Sequence, residues 1–325
     1  MRLPGRKFLQ ALARPVRKVW FPGAVILGYH RIADLEWDPL NIAVGIENFR
    51  DQLKILGRSR QVVSLGELIR LQETGQPMER YAALTFDDGY GDFLEIACPL
   101  LTDTRLPSTV FIATSFTGRA FWWEKVAELM EPRQARDESL VVDFGAGDRQ
   151  IFSGLEDAEA ATLATRTICH RLKGGDRMQI SNVLEQIGSW AGIRDSNDVV
   201  GRPLTADEIA LLFADEWVEV GAHTVSHGCL GDMAPGDQQM EIERSRVALE
   251  SITGGAVSTF SYPNGSYSEE TPEIVRQAGF ECACTSRQAT FRSGGNRFLI
   301  PRVWVPDAGG QAFEEWLSQW IRIKS

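Results

Sequence analysis

Long apolar runs, paired cysteines, positive charge and histidine are all scarce in this chain of 325 residues. No stretch approaches the roughly 20 consecutive apolar residues that a membrane-spanning helix needs. The five cysteines, Cys98, Cys169, Cys229, Cys282 and Cys284, are odd in number and include no C-x-x-C pair. That pattern predicts reduced thiols and argues against both a disulfide framework and a cysteine zinc site. Lys and Arg number 34 against 44 Asp and Glu, a net charge of −10 that argues against nucleic acid as a partner. Repeats and low-complexity tracts are missing as well. What remains is ordinary globular composition, 43% hydrophobic and 24% charged. The length suits two typical domains or one α/β barrel of about 250 residues with additions.

The cations that are present cluster. Arg2, Arg6, Lys7, Arg14, Arg17 and Lys18 fall in the first 18 residues with no acid among them, so the rest of the chain carries about −16 (−10 less +6). Residues 1–22 therefore read as a basic arm ahead of a domain at 23–325. They lack a continuous apolar run of about 7–15 residues before a cleavage site, unlike a secretory signal. Phe8, Leu9, Leu12, Val16 and Val19 recur near helical spacing with Pro15 interrupting. Two readings stand: peripheral contact of residues 1–20 with an anionic membrane, or a solvated leader.

Beyond the arm, short apolar runs alternate with helical patterns. Strands are expected at 24–29, 61–63, 82–86, 109–114, 217–220, 257–260, 281–285 and 298–303. Helices are expected at about 48–56, after Ser64, at 93–101, 206–213, 238–252 and 269–278, and from 311. Ser64 with Glu67, and Thr205 with Glu208, are capping-box pairs. This βαβα rhythm predicts a mainly parallel sheet, open or closed into a barrel. It breaks between about 116 and 203, a helix-prone stretch with turn-rich 145–148 and 174–176, which reads as an insertion.

Only four histidines occur, and His30, His223 and His227 fall at or just beyond predicted strand ends, where α/β enzymes place their sites. Four-residue spacing puts the imidazoles of His223 and His227 on one side of a helical turn, suitable for one metal ion; structural histidines fit the same spacing. No Glu follows His223, which excludes the H-E-x-x-H arrangement. Leu84-Thr85-Phe86-Asp87-Asp88-Gly89-Tyr90 sets two carboxylates at the end of an apolar strand, costly unless their charge is used. A turn at Gly89 brings both toward one pocket; the alternative is a helix cap worth about 1 kcal/mol.

Thr85–Gly89, His223–His227 and Phe260-Ser-Tyr-Pro-Asn-Gly265 together resemble the polysaccharide deacetylase family, which includes chitin, peptidoglycan and poly-N-acetylglucosamine deacetylases. The resemblance runs from about residue 24 to 305. It implies a distorted (β/α) barrel of fewer than eight strands with the site at the strand C-termini. It assigns Asp88, His223 and His227 as ligands of a divalent metal and Asp87 as the base that takes a proton from the attacking water. An oxyanion donor is expected in the Pro263-Asn264 turn.

Two departures follow. No histidine comes after His227, where most members of the family carry the general acid, so His30 is expected to replace it. That resembles the circularly permuted branch, in which the histidine-bearing strand comes first and closure makes it the neighbour of the last. The turn motif usually carries an arginine two residues before the proline, and Ser261 stands there instead; Arg302 is the expected substitute. Trp122 and Trp123 are candidate sugar-stacking residues or packing, Tyr262 lines the pocket or belongs to the core, and His170 reads as structural.

The resemblance implies an N-acetylated or N-formylated amino sugar, in a polysaccharide or lipid-linked glycan, as substrate. The ligand set suits Zn²⁺, with Co²⁺, Ni²⁺ or Fe²⁺ as alternatives. A bacterial cytoplasmic or inner-membrane-peripheral location is expected. The rival readings are a glycoside hydrolase on a similar barrel and a non-catalytic carbohydrate-binding relative.

Overall fold

The computed structural model describes residues 23–132, 139–193 and 201–321. The basic arm at 1–22, and with it the membrane-contact reading, lies outside the described residues.

Strand β1 (Val25–Tyr29) is buried throughout and runs directly into β2 (Arg31–Ile32), which pairs with β3 (Ala43–Val44). Helix α1 (Ile46–Ser59) buries Phe49, Leu53 and Leu56, the i, i+4, i+7 stripe of a surface helix. After β4 (Gln61–Val62), Ser64 caps α2 (Leu65–Glu73) by accepting from the Glu67 N–H. Strand β5 (Tyr81–Phe86) follows. The helix expected at 93–101 is a π turn over Phe93–Ala97 continued by α3 (Cys98–Thr104), which leads to β6 (Ser108–Ile112).

Next come α4 (Trp122–Leu129), an antiparallel hairpin of β7 (Leu140–Asp143) and β8 (Arg149–Phe152), α5 (Ala158–Leu172) and α6 (Arg177–Ala191). They pack a second, smaller core around Phe121, Val126, Val142, Ile168 and Ile187. The hairpin is an addition to the helix-rich expectation. Its turn coincides with 145–148, where Gly145, Ala146 and Gly147 take positive φ.

The rhythm then resumes with α7 (Ala206–Phe213), opened by the complete Thr205/Glu208 capping box, and β9 (Val218–Ala222). Helix α8 (Pro235–Thr253) ends at Gly254 in the left-handed region. Strand β10 (Thr259–Ser261), α9 (Thr271–Gln277), β11 (Cys282–Cys284), β12 (Val303–Trp304) and α10 (Gly310–Leu317) complete the chain. Of the strand expected at 298–303 only Val303 lies in β12, which runs on to Trp304; Pro301 within the apolar run offers no N–H to a ladder.

The main sheet is parallel, in the order β11-β10-β9-β6-β5-β1-β12, with β4 added beside β5. It curls. At the β12 edge, Ile300 bridges back to Cys284 of β11, and the Thr285 N–H donates to the Ile300 carbonyl at 2.8 Å. The result is a distorted (β/α) barrel whose first and last strands are neighbours, Leu27 opposite Val303 and Gly28 opposite Trp304. All strand C-termini of the barrel therefore converge at one end. No helix among the described residues is long and apolar enough to cross a membrane.

Candidate active site

Three strand ends supply the carboxylates and imidazoles. After β5, Asp87 keeps the strand direction while Asp88 adopts φ 73° and Gly89 φ 88°. This left-handed turn, unusual for a residue with a side chain, brings adjacent carboxylates to one pocket instead of opposite faces. A Cβ at Gly89 would also lie 2.8 Å from Ile112 Cδ1, so that side chain would have to shift.

After β9, His223 and His227 do not share a helical turn. Residues 223–229 form a loop with Thr224 at φ 65° and His227 at φ 59°, pinned where the Thr224 hydroxyl accepts from the His227 N–H at 3.0 Å. The expected proximity is present, with ring centroids 4.9 Å apart, but loop curvature produces it.

One ligand atom each from Asp88, His223 and His227 lies within 4.8 Å of the others. His223 Nδ1 sits 2.7 Å from the Ser261 carbonyl oxygen, an acceptor, so Nδ1 carries the proton and Nε2 presents a lone pair. That Nε2 is 3.6 Å from Asp88 Oδ1, and His227 Nε2 is 3.2 Å from the same oxygen. Burial pushes His223 down to about 4, toward the neutral form that binds metals. Asp88 Oδ1 is buried with no donor aligned on it. Asp88 Oδ1 and the two Nε2 atoms thus converge on one point, an arrangement that suits a divalent cation. The donor set fits such an ion.

Asp87 is held differently. Arg302 Nη1 donates to Asp87 Oδ1 at 2.6 Å and Nη2 to Oδ2 at 2.7 Å. Arg302 is 0% exposed, and its remaining bonds go to the Thr85 hydroxyl, the Thr285 carbonyl and the Ser261 hydroxyl. Ser261 is the position where the resemblance places an arginine, and its hydroxyl accepts from Arg302 Nη2 at 2.9 Å. Burial acts to raise Asp87, but the Arg302 charge, then His223 and the Arg302 hydrogen bonds, hold it below the usual carboxylate range.

His30, at the end of β1, lines the pocket and stacks on Trp304 with centroids 4.7 Å apart and planes 17° from parallel. Arg302 lies under the same indole at 4.9 Å. Trp304 stands in β12 two residues beyond Arg302, and no motif in the sequence marks it. The cavity, about 360 Å³, is lined by His30, Asp87, Asp88, Trp122, Trp123, His223, His227, Asn264 and Trp304, with Leu40, Ile42, Cys169, Lys173 and Ser286. Loop and insertion residues such as Leu40 and Lys173 carry no local signal of pocket placement.

Of the substrate-contact candidates, Trp122 is half-buried on the pocket wall. Trp123 is only 7% exposed and mainly packs. Tyr262 is a correction: it is 0% exposed, and its hydroxyl donates to the Phe298 carbonyl, so it belongs to the core beneath the pocket. Pro263 is likewise buried and is not on the cavity wall, whereas Asn264, at φ 55°, turns into it. His170 is exposed on α5 in a separate groove.

The chain belongs to the polysaccharide deacetylase family, whose sequence profile matches residues 74–137 and 179–283, more than half of its length. YxkH of Bacillus subtilis (strain 168), named as a polysaccharide deacetylase, is 26% identical over 134 residues, 40% of this chain. The match spans about half, 48%, of that relative. Among solved structures, the Streptococcus pyogenes deacetylase PplD in complex with acetate superposes with a TM-score of 0.60 at 17% identity. That superposition covers 92% of this chain and 98% of PplD. IcaB from Ammonifex degensii gives 0.59 at 18% identity, covering 93% and 97%. At these identities the likeness is one of fold.

Proposed function

We propose that this protein is a metal-dependent hydrolase that removes the N-acetyl or N-formyl group of an amino sugar in a polysaccharide or lipid-linked glycan. Asp88, His223 and His227 would hold the divalent ion, with Zn²⁺ the first choice for two imidazoles and a carboxylate. The observation that carries this reading is the convergence of Asp88 Oδ1, His223 Nε2 and His227 Nε2 on one buried point, beside an Asp87 kept ionised by Arg302. A divalent ion bound there supplies Lewis-acid polarisation of the acyl carbonyl and a water of lowered pKa.

The chain's own groups account for the proton traffic. Asp87, ionised and aimed into the cavity, accepts the proton of the attacking water. The paired guanidinium fixes its orientation and keeps it from being protonated beforehand. His30, across the pocket, delivers a proton to the leaving amine nitrogen, which otherwise departs as a poor anionic leaving group. Asn264 stands in the turn where the developing oxyanion needs a donor. Trp122 offers an aromatic wall for a sugar ring, with Leu40 and Ile42 completing the apolar part.

A glycoside hydrolase is disfavoured, because that chemistry needs one protonated carboxyl about 5 Å or more from the other. Both aspartates here are adjacent and held in the ionised form. A non-catalytic relative is disfavoured as well, because Arg302 pairs with both oxygens of Asp87 although the turn motif lacks its usual arginine. We also propose the division into a basic arm at 1–22 and a barrel domain carrying an insertion at about 116–203.

Acetate release from N-acetylglucosamine oligomers tests the reading, using chelator-stripped protein before and after Zn²⁺ is restored, with Asp87→Asn in parallel. Metal-restored release that Asp87→Asn abolishes is the expected result. Protein that binds no divalent metal overturns the assignment.

A further inference from the structure

Helix α4 brings two tryptophans to the site, and their surroundings differ. Trp122 faces the cavity. Trp123 turns its ring toward His227, with centroids 4.9 Å apart and planes at 45°, and its Nε1–H donates to the Tyr90 hydroxyl oxygen at 2.7 Å. The Tyr90 hydroxyl donates in turn to Glu124 Oε1 at 2.8 Å. Arg31 Nη1 reaches Glu124 Oε2 at 3.3 Å, and Arg31 Nε reaches Asp92 Oδ2 at 2.9 Å. The Arg31 guanidinium also lies 5.1 Å from the centre of the Tyr90 ring.

Arg31, Tyr90, Trp123 and Glu124 are all buried, so this is an ordered interior chain of bonds. It joins the insertion to the barrel at three points of the site. Arg31 follows His30, Tyr90 closes the Asp87-Asp88-Gly89 turn, and Trp123 packs on His227. Its packing allows no slack at Gly201, where a Cβ would lie 2.7 Å from Arg31 Nη1.

The two histidines are fixed by different means. The Ser261 carbonyl pins His223 Nδ1. Among the described residues, no hydrogen-bond partner pins His227 Nδ1. The ring of His227 is set by its backbone loop and by the faces of His223 and Trp123.

We propose that Trp123 is a positioning residue for His227, held in register by Tyr90, Glu124 and Arg31, so that the insertion sets the metal affinity of the barrel site. This rests on the reading of Asp88, His223 and His227 as metal ligands. Outer groups that orient metal-binding histidines typically change affinity by about 10–100-fold when removed, and an indole face held by a hydrogen-bonded tyrosine acts here by packing.

The test is the Zn²⁺ Kd of the full chain, measured by competition with a chromophoric chelator, alongside kcat and KM for acetate release. Tyr90→Phe deletes one oxygen and both of its bonds while keeping the ring under Arg31, and Trp123→Phe removes the donor and part of the face. Both variants are expected to weaken Zn²⁺ by about tenfold. Their kcat should fall at limiting Zn²⁺ and recover at excess, with KM little changed. Glu124→Gln, which keeps an acceptor for Tyr90, should remain within about threefold of wild type. Wild-type Kd in folded Tyr90→Phe and Trp123→Phe overturns the inference, and so does raised KM at unchanged Kd, which would make Trp123 a substrate contact. Wild-type protein that binds no Zn²⁺ fails the metal-site reading itself, a result distinguishable from failure of this inference.

Discussion

Arg302 grips both oxygens of Asp87 and gives a further hydrogen bond, at 2.9 Å, to Ser261, the residue standing where the family motif usually has its arginine. Removing Arg302 leaves a buried carboxylate unpaired, a change that costs about 3–5 kcal/mol in other proteins and raises the pKa of the base. Arg302→Ala should therefore lose at least about a hundredfold in kcat/KM at neutral pH, with Zn²⁺ stoichiometry unchanged. Ser261→Arg combined with Arg302→Ala should recover part of that loss, because the guanidinium would approach the same carboxylate. Full turnover in Arg302→Ala would remove the pair from the mechanism.

The proposed metal ligands should separate from the proposed base in a different measurement. His223→Ala and His227→Ala should reduce bound Zn²⁺, measured by elemental analysis after dialysis, to well below one per chain. Asp87→Asn should leave it near one. Asp88→Asn should lose metal, because it replaces the buried carboxylate oxygen that faces both imidazoles. Asp88→Asn protein that keeps one Zn²⁺ per chain would contradict the ligand assignment.

Much of this was legible in the sequence because strand ends announce themselves. Asp87, Asp88, His30 and Arg302 each follow or lie within an apolar run, and a parallel barrel delivers such residues to one end. The route by which His223 and His227 meet was not legible: i, i+4 spacing suggests a helical turn, whereas left-handed Thr224 and His227 curve a loop. The burial of Tyr262 was equally hidden, since a tyrosine beside a motif proline looks the same whether it faces solvent or core. The β7–β8 hairpin left its turn in view at 145–148, but its strands of four residues carry too little alternation to register. Leu40 and Lys173 reach the pocket only through tertiary packing.

Trp304 stacks on His30 and is contacted by the Arg302 guanidinium. Its place depends on Gly28 opposite, where a Cβ would fall 2.8 Å from the indole. Gly28→Ala should displace the indole and destabilise the fold by about 1–3 kcal/mol. Trp304→Ala should lower kcat more than it raises KM, because the imidazole loses the face that holds it toward the leaving nitrogen. Trp304→Phe, which keeps a flat ring, should recover most of kcat. Equal losses in the Ala and Phe variants would indicate that Trp304 contacts substrate through its indole and does not act through His30.

Glu124 provides a test based on pH. Burial pushes its carboxyl up to about 7 despite the neighbouring Arg31 and the Tyr90 hydrogen bond, against an ordinary value of 4.5. Between those values the folded chain binds a proton that the unfolded chain has released, so stability falls as pH rises through about 4.5 to 7 and this contribution levels off above it. A displacement of that size corresponds to about 3 kcal/mol across the window. Asp92 is also raised by burial and adds slope of the same sign, so replacing Glu124 alone should flatten the curve without levelling it. Urea midpoints of wild type and Glu124→Gln from pH 4.5 to 8, both in excess chelator so that metal binding does not contribute, provide the measurement. Wild type should lose stability relative to the variant as pH rises to 7 and run parallel to it thereafter. Parallel curves over the whole range would mean that Glu124 stays ionised beside Arg31, making the interior chain a fully charged triad.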